Sequence, residues 1–489
     1  IKAFSFTQNK VLKDKGNYKE LHLEAGFISK LVQEKPDAIQ VAVPLNNNET
    51  IQCDLVKVDL GKVKFTQNRY QLINTIKVPV CYRGIVSGEQ QKNNVVLTVN
   101  EDYLSLIATF NNKAIQISKA NEAKGSAYRL YDTREIDFPS TLFDCGTKEG
   151  PPSQLNRTIN NLSQSNTPLA AQDKCVYVFV ECFDSLYQWR DSSVQNTINY
   201  VYELFNAVAT GYLNEQINVK ISTINVWTTT DPYRQDTREN ALADLAATYQ
   251  DDYWGNICVG LDFSINSTLG RSGIAGQFNG RVKGEAPNDC GSYTAASHSF
   301  CYNDMNYNVN VQNFPTGPNT TGQQIYLVMH EMGHLLGSPH THWCGWMTGT
   351  NPNTFGALDN CAAVEGTCSA GPAQPATGGT IMSYCVGAGE FVNFNNGFGT
   401  LPGNAIRSFV DGQACIAKCP SCPADALISV FAAGVSHIEV SNTISATGSI
   451  PNSSWVTLDA GRRVTLSPNF KASAGSQVKI IINGCGGIR

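Results

Sequence analysis

Val328-Met329-His330-Glu331-Met332-Gly333-His334-Leu335-Leu336-Gly337-Ser338-Pro339-His340 is the stretch on which the reading of this 489-residue chain turns. Its first part, from about Gln323 to Leu336, suits a helix. On a helix His330 and His334 stand one turn apart and project from the same side, so two imidazoles can share one metal ion. Glu331, beside the first of them, is placed to hold a water on that ion without itself binding it. Gly337 lets the chain leave the helix sharply, because glycine takes the left-handed conformation at little cost. The turn then brings His340 round as a third ligand. Three neutral histidines leave one coordination position open, the arrangement of a catalytic zinc site; a structural site would be closed. The competing reading is a helix with satisfied surface histidines, and it must treat the further match of Gly337 and His340 as chance.

The spacing His-Glu-x-x-His-x-x-Gly-x-x-His resembles that of the metzincin metalloproteases. Thr380-Ile381-Met382-Ser383-Tyr384 is similar to their second mark, a methionine turn, and the resemblance gives Met382 the role of an apolar floor under the imidazoles. A core methionine is the plainer alternative. Gly337-Ser338-Pro339-His340 looks like the reprolysin and ADAM branch, and Tyr82-Arg83-Gly84-Ile85-Val86 is similar to the pro-domain pattern of that branch. Two positions depart from it. Thr341 stands where reprolysins carry Asp, and Tyr384 is more like the astacin and serralysin branches, where the tyrosine is an extra zinc ligand that swings to stabilise an oxyanion. For Tyr384 that role stands beside a packed, hydrogen-bonded tyrosine. His342 reads as a surface or supporting histidine, since three ligands already complete the protein's share of the site. The implied chemistry is hydrolysis of a protein or peptide substrate by zinc-activated water, with Glu331 as general base.

Outward from this segment the chain divides. Residues 1–145 read as a β-rich pro-domain: Ile39, Val41 and Val43 recur with a period of two, and Val95–Val99 is a β-branched run. Residues 146–173, opening with Pro151 and Pro152 and continuing in Asn, Gln, Ser and Thr, read as a linker and activation segment, with Lys148, Arg157 and Lys174 as basic sites for a cut. Residues 174–418 read as the catalytic domain, an α/β layer of mixed twisted sheet plus the zinc-binding helix. Strands are expected at Val176–Cys182 and Val219–Trp227, and helices at Ser192–Leu213 and Arg238–Tyr249. Residues 419–489 read as a small all-β module.

Within Phe143-Asp144-Cys145-Gly146-Thr147, Cys145 at the exit of the pro-segment can reach the open zinc position as a thiolate. Cys145-Gly146 resembles the core of the cysteine switch of ADAM and matrix metalloproteases, which makes the pro-domain the enzyme's own inhibitor. The alternative is that Cys145 is half of a disulfide. Of the sixteen cysteines, three precede the linker. If Cys53 pairs with Cys81, Cys145 is left over; the thirteen that follow then leave one thiol unpaired as well, and Cys182, on an apolar strand face, can be that one. Cys344, Cys361, Cys368 and Cys385 surround the zinc segment with a connectivity the sequence leaves open.

The bulk numbers exclude several classes. A net charge of −5 and the lack of a basic run argue against nucleic acid and anionic membranes as partners. No apolar stretch is long enough to span a bilayer. Cysteine usage points to an oxidising, extracellular setting, with any export signal already removed from the start at Ile1. Calcium is conceivable, yet no loop of oxygen ligands with recognisable spacing supports it. Two rival functions remain: an adhesion protein that keeps the fold without activity, for which an intact Glu331 serves no purpose, and a zinc hydrolase acting on something other than peptide.

Overall fold

The computed structural model describes residues 2–5, 18–46, 48–88, 92–111, 113–119, 127–132, 145–149, 174–249, 252–263, 273–276, 299–305, 322–349, 354–373, 378–385, 395–413, 415, 416, 419, 425–431, 433 and 435–482. Phe143, Asp144, Arg157 and the rest of the expected linker from 150 to 173 lie outside them. The chain forms two compact units, Ile1–Ala417 and Lys418–Arg489. No helix among the described residues is long and apolar enough to cross a membrane.

In the first unit the alternating apolar runs of the N-terminal region become strands, as period-two patterning requires. They are β1 (Lys2–Ser5), β2 (Lys19–His22), β3 (Ala38–Pro44), β4 (Thr50–Val58), β5 (Lys64–Gln67), β6 (Gln71–Leu72), β7 (Val80–Val86), β8 (Val95–Val99), β9 (Leu104–Phe110), β10 (Lys113–Lys119) and β11 (Ala127–Asp132). All but β5 and β6 belong to one nine-stranded sheet in the order β1-β3-β4-β7-β8-β9-β10-β11-β2. Its core is built from residues such as Val41, Leu55, Leu97 and Leu106, with Phe27 and Leu31 of the short helix Phe27–Glu34 packed into it.

The remainder of the unit follows the expected strand–helix alternation. Strands β12 (Cys175–Cys182), β13 (Asn218–Val226), β14 (Ile257–Asp262), β15 (Gly273–Ala275) and β16 (Phe300–Asp304) are interleaved with the helices Val194–Asn214, Arg238–Tyr249 and Gly322–Leu335. Ser193 caps the first of these, its hydroxyl accepting from the Asn196 amide. The second sheet runs β15-β16-β14-β12-β13-β5-β6. β12, β13, β14 and β16 are parallel, and β15 is an antiparallel edge. The far edge is a surprise for the sequence reading: β5, from the N-terminal region, pairs in parallel with β13.

The N-terminal cysteines correct one expectation. Cys53 and Cys81 are not bonded to each other; both are free and buried. On the β4–β7 ladder Cys53 faces Val86 while Cys81 faces Val58. Five residues of strand therefore separate them, roughly 17 Å, far beyond disulfide reach. Cys145, Cys182, Cys258 and Cys301 are also free and buried.

The second unit is a parallel β-solenoid. Its first turn holds β19 (Asp425–Ile428) and β20 (Val435–Val440), its second β21 (Thr443–Ala446), β22 (Ser449–Ile450) and β23 (Trp455–Ala460), and its third β24 (Arg463–Leu466), β25 (Lys471–Ala472) and β26 (Gln477–Ile481). Earlier in the chain, in the first unit, β17 (Trp346–Met347) and β18 (Phe355–Gly356) form a small hairpin. Strands stack in parallel as β19-β21-β24, β20-β23-β26 and β22-β25. Val440, Ile444, Ala446, Ile450, Val456, Leu458 and Ala460 fill the interior, each turn burying its apolar face only against its neighbours.

Candidate active site

The helix Gly322–Leu335 carries the first two histidines, and every one of its residues is buried. Gly333 sits between them because a Cβ there would stand 2.6 Å from the sulfur of Met382, which is itself fully buried. Gly337 ends the helix with φ +88, and the freed chain presents His340. The sulfur of Cys145 and the imidazoles of His330, His334 and His340 offer four ligand atoms that all lie within 4.8 Å of one another.

Hydrogen bonding fixes the tautomers. Nδ1 of His330 lies 2.7 Å from the Ile381 carbonyl, and Nδ1 of His334 2.9 Å from the Ser338 carbonyl. A carbonyl only accepts, so both Nδ1 atoms carry the proton and both Nε2 atoms present a lone pair. Nδ1 of His340 is 3.1 Å from each oxygen of Glu365. The three Nε2 atoms then face each other, His334 at 3.1 Å from His330 and 3.0 Å from His340. Lone pairs at that distance repel unless a cation sits among them. Nitrogen ligands about 2.0–2.1 Å from a tetrahedral zinc would stand roughly 3.3 Å apart, close to this spacing. The donor set fits a zinc ion, with Cys145 as a fourth donor.

Burial keeps these imidazoles neutral. His330 is pushed well below the ordinary histidine value by desolvation and by its two histidine neighbours. His334 and His340 are each lowered to about 4, first by desolvation. Burial alone would raise Glu365, but the hydrogen bonds from His340 and His342 outweigh it and bring it to about 2. Glu365 is therefore a carboxylate that orients His340, the arrangement that stiffens a metal ligand. The sequence gives no sign of it, since it lies 25 residues beyond His340. The disulfides Cys344–Cys368 and Cys361–Cys385 enclose that loop and settle the connectivity left open above. His342, buried and stacked on His340 with ring centres 4.8 Å apart, has Nε2 3.6 Å from Glu365.

Glu331 lies at the junction with the N-terminal segment. The Cys145 thiol donates to Oε2 of Glu331 at 3.4 Å, and Thr147 Oγ1 lies 3.5 Å from the same oxygen. Burial and the Glu331 charge push the Cys145 thiol well above its ordinary value. The segment runs parallel to the edge strand β15: Cys145 bridges Gly273, the Gly146 amide donates to the Gly273 carbonyl at 2.8 Å, and the Ala275 amide donates to Thr147 Oγ1 at 2.9 Å. Gly273 itself leaves room for the base, because a Cβ there would come within 2.6 Å of Glu331 Oε1. Glu149 closes the segment with a carboxylate oxygen 3.1 Å from Nδ1 of His334.

Tyr384 is in reach of both partners. Its hydroxyl accepts from the Cys145 amide at 3.2 Å, and its ring centre lies 5.0 Å from that of His340. Of the basic residues expected as sites for the cut, Lys174 donates to the Asp411 and Gln413 carbonyls at 2.6 and 2.7 Å.

Residues 172–395 match the sequence profile Reprolysin_5, described as Metallo-peptidase family M12. Over that span the chain is similar to the M12 metallopeptidases. That assignment agrees with the metzincin resemblance carried by the zinc helix and the methionine turn. No relative among curated protein sequences matches the chain. Among solved structures the chain is similar to metalloproteinase-II from Bacteroides fragilis, with a TM-score of 0.37 and 11% identity over 67% of this chain and 90% of that one. The structure brings all six residues picked out for chemistry from the sequence together: Cys145, His330, Glu331, His334 and His340 are buried, and Tyr384 is half-buried beside them. Thr147, Glu149, Gly273 and Glu365 are the site residues that sequence reasoning missed.

Proposed function

We propose that the chain is a secreted zinc metalloendopeptidase made as a latent zymogen. The observation that carries this reading is the trio of Nε2 lone pairs turned toward one point beside the Glu331 carboxylate. His330, His334 and His340 would hold the ion. Zinc, when bound, supplies Lewis acidity to a peptide carbonyl and acidifies a water. Glu331 takes the proton of the attacking water through the carboxylate edge that now meets Cys145 and Thr147, then delivers it to the departing amine. The Tyr384 hydroxyl, released from Cys145, would be free to donate to the oxyanion of the tetrahedral intermediate.

Latency follows from who occupies the site. Cys145 stands where a fourth ligand belongs, and it occupies Glu331 at the same time, so one residue would block both the ion and the base. A cut between 150 and 173 would free this segment. The disulfides around the site suit folding in an oxidising compartment, which supports secretion. The test is a mixed peptide library offered to linker-cleaved protein, with and without chelator. Cleavage that the chelator abolishes is the expected result. Hydrolysis of no peptide at all, by protein that holds zinc, would reject the peptidase reading in favour of another hydrolase or a binding role.

A further inference from the structure

The helix Val194–Asn214 is buried from Thr197 to Tyr212 without a break. A surface helix shows one apolar stripe; a helix buried all round is covered on two sides. One side faces the peptidase core, where the Tyr212 hydroxyl donates to the Met329 carbonyl in the zinc-site helix at 2.9 Å. The other side is covered by the N-terminal sheet. Leu60, Cys81, Val96 and Ile107 of that region sit in the same apolar cluster as Val176, Ile198 and Phe205. Asn206, wholly buried, donates through Nδ2 to the carbonyls of Tyr82 and Leu97 at 3.2 Å each and lies 3.0 Å from Thr98 Oγ1. Ser105 donates to buried Glu203 at 2.7 Å.

A second contact is independent of the first. β5 extends the peptidase sheet by pairing with β13, and the Ile221 amide donates to the Leu60 carbonyl at 2.6 Å. Gly61 permits that approach, with φ +127 and only 2.4 Å between a Cβ and the Ile221 oxygen. Thr66 Oγ1 and the Arg69 amide both reach Asn225 Oδ1, at 2.8 and 3.0 Å, and Arg69 Nη2 donates to the Thr248 carbonyl at 2.6 Å. Neither contact involves the segment 145–149.

We propose that the N-terminal region stays bound to the peptidase domain after the linker is cut, as a non-covalent subunit that completes the domain's core and sheet. Only the segment carrying Cys145 must leave for activity. Losing the whole region would expose to water the apolar residues that now pack against the helix and the sheet, which is costly. The inference rests on the zymogen reading only for the place of the cut.

The experiment uses the full chain with a recognition site for a specific protease inserted between residues 150 and 173, cut to completion and run on native size exclusion with mass spectrometry of each fraction. Both fragments are expected in one peak and should part only in denaturant. A free N-terminal fragment under native conditions overturns the proposal. Asn206→Leu and Arg69→Ala, checked for a wild-type profile before cutting, should each raise the dissociation constant of the cut complex by about tenfold or more; two variants with unchanged retention would contradict the contacts named. Peptide cleavage by the same fractions tells the two readings apart. Separation with gained activity removes this inference and spares the zymogen reading; co-elution without activity does the reverse.

Discussion

The two sides of the active site are built on different length scales. On the peptidase side, the three histidines come from eleven consecutive residues, and two of their Nδ1 partners lie on short connections, Ser338 four residues from His334 and Glu365 25 residues from His340. On the N-terminal side, every contact spans the chain: Cys145 reaches Glu331 across 186 residues, and Asn206 reaches Tyr82 across 124. The contrast teaches that the metal centre is a local construction and its latency is a tertiary one. Chemistry should fail through the first side, and control through the second.

The largest effect expected on the local side comes from Glu331→Gln. Removing the base should lower kcat/KM of the cut enzyme by about 10²–10⁴-fold while zinc content is kept, as read by peptide cleavage and metal analysis. On the tertiary side, Cys145→Ala should raise the activity of uncut protein by about tenfold or more, a factor worth 1.4 kcal/mol of lost blocking contact. Unchanged activity would break the comparison, because latency would then not depend on the thiol. Glu365→Gln sharpens it from the other direction. It leaves His340 in place but removes the negative partner, so zinc affinity should fall by about 10–100-fold by competition with a chelating dye, with latency unaffected.

The smallest effect concerns the bridge between the two sides. Asn225 accepts from the N-terminal region and donates through Nδ2 to Glu181 at 2.9 Å. Glu181 also accepts from the hydroxyls of Tyr233 and Tyr249 and from the Trp227 ring nitrogen. Burial raises it to about 7 against these donors. The folded protein therefore holds a proton that the unfolded chain releases near its ordinary value, and between about 4.5 and 7 the folded state binds more protons. Stability from this group is present below that window and lost as pH rises through it. Glu181→Gln should flatten this part of the Tm–pH curve between pH 5 and 8. An identical slope in variant and parent would show that Glu181 is ionised throughout.

What could be read in the sequence divides along the same line. His330, Glu331, His334, Gly337 and His340 were legible because a helix converts spacing into geometry within one turn. β12, β13 and the helices Val194–Asn214 and Arg238–Tyr249 were legible from periodicity. The insertion of β5 into the peptidase sheet was not, because Lys64–Gln67 pairs at a separation of about 160 residues, where no period links the two strands. Glu365 was hidden for a related reason: disulfides, not helical spacing, bring its loop to His340. The solenoid shows in the sequence only as an all-β module, since its turns carry no repeated motif.

Zinc content and chelator sensitivity of one preparation test the central claim most directly. Purified, linker-cleaved protein should hold about one zinc per chain, lose it and its peptide cleavage together on chelation, and regain both on adding the metal back; His334→Ala should hold none. Wild-type protein that cleaves peptides without bound metal, or a His334→Ala variant that still retains zinc, would contradict the account.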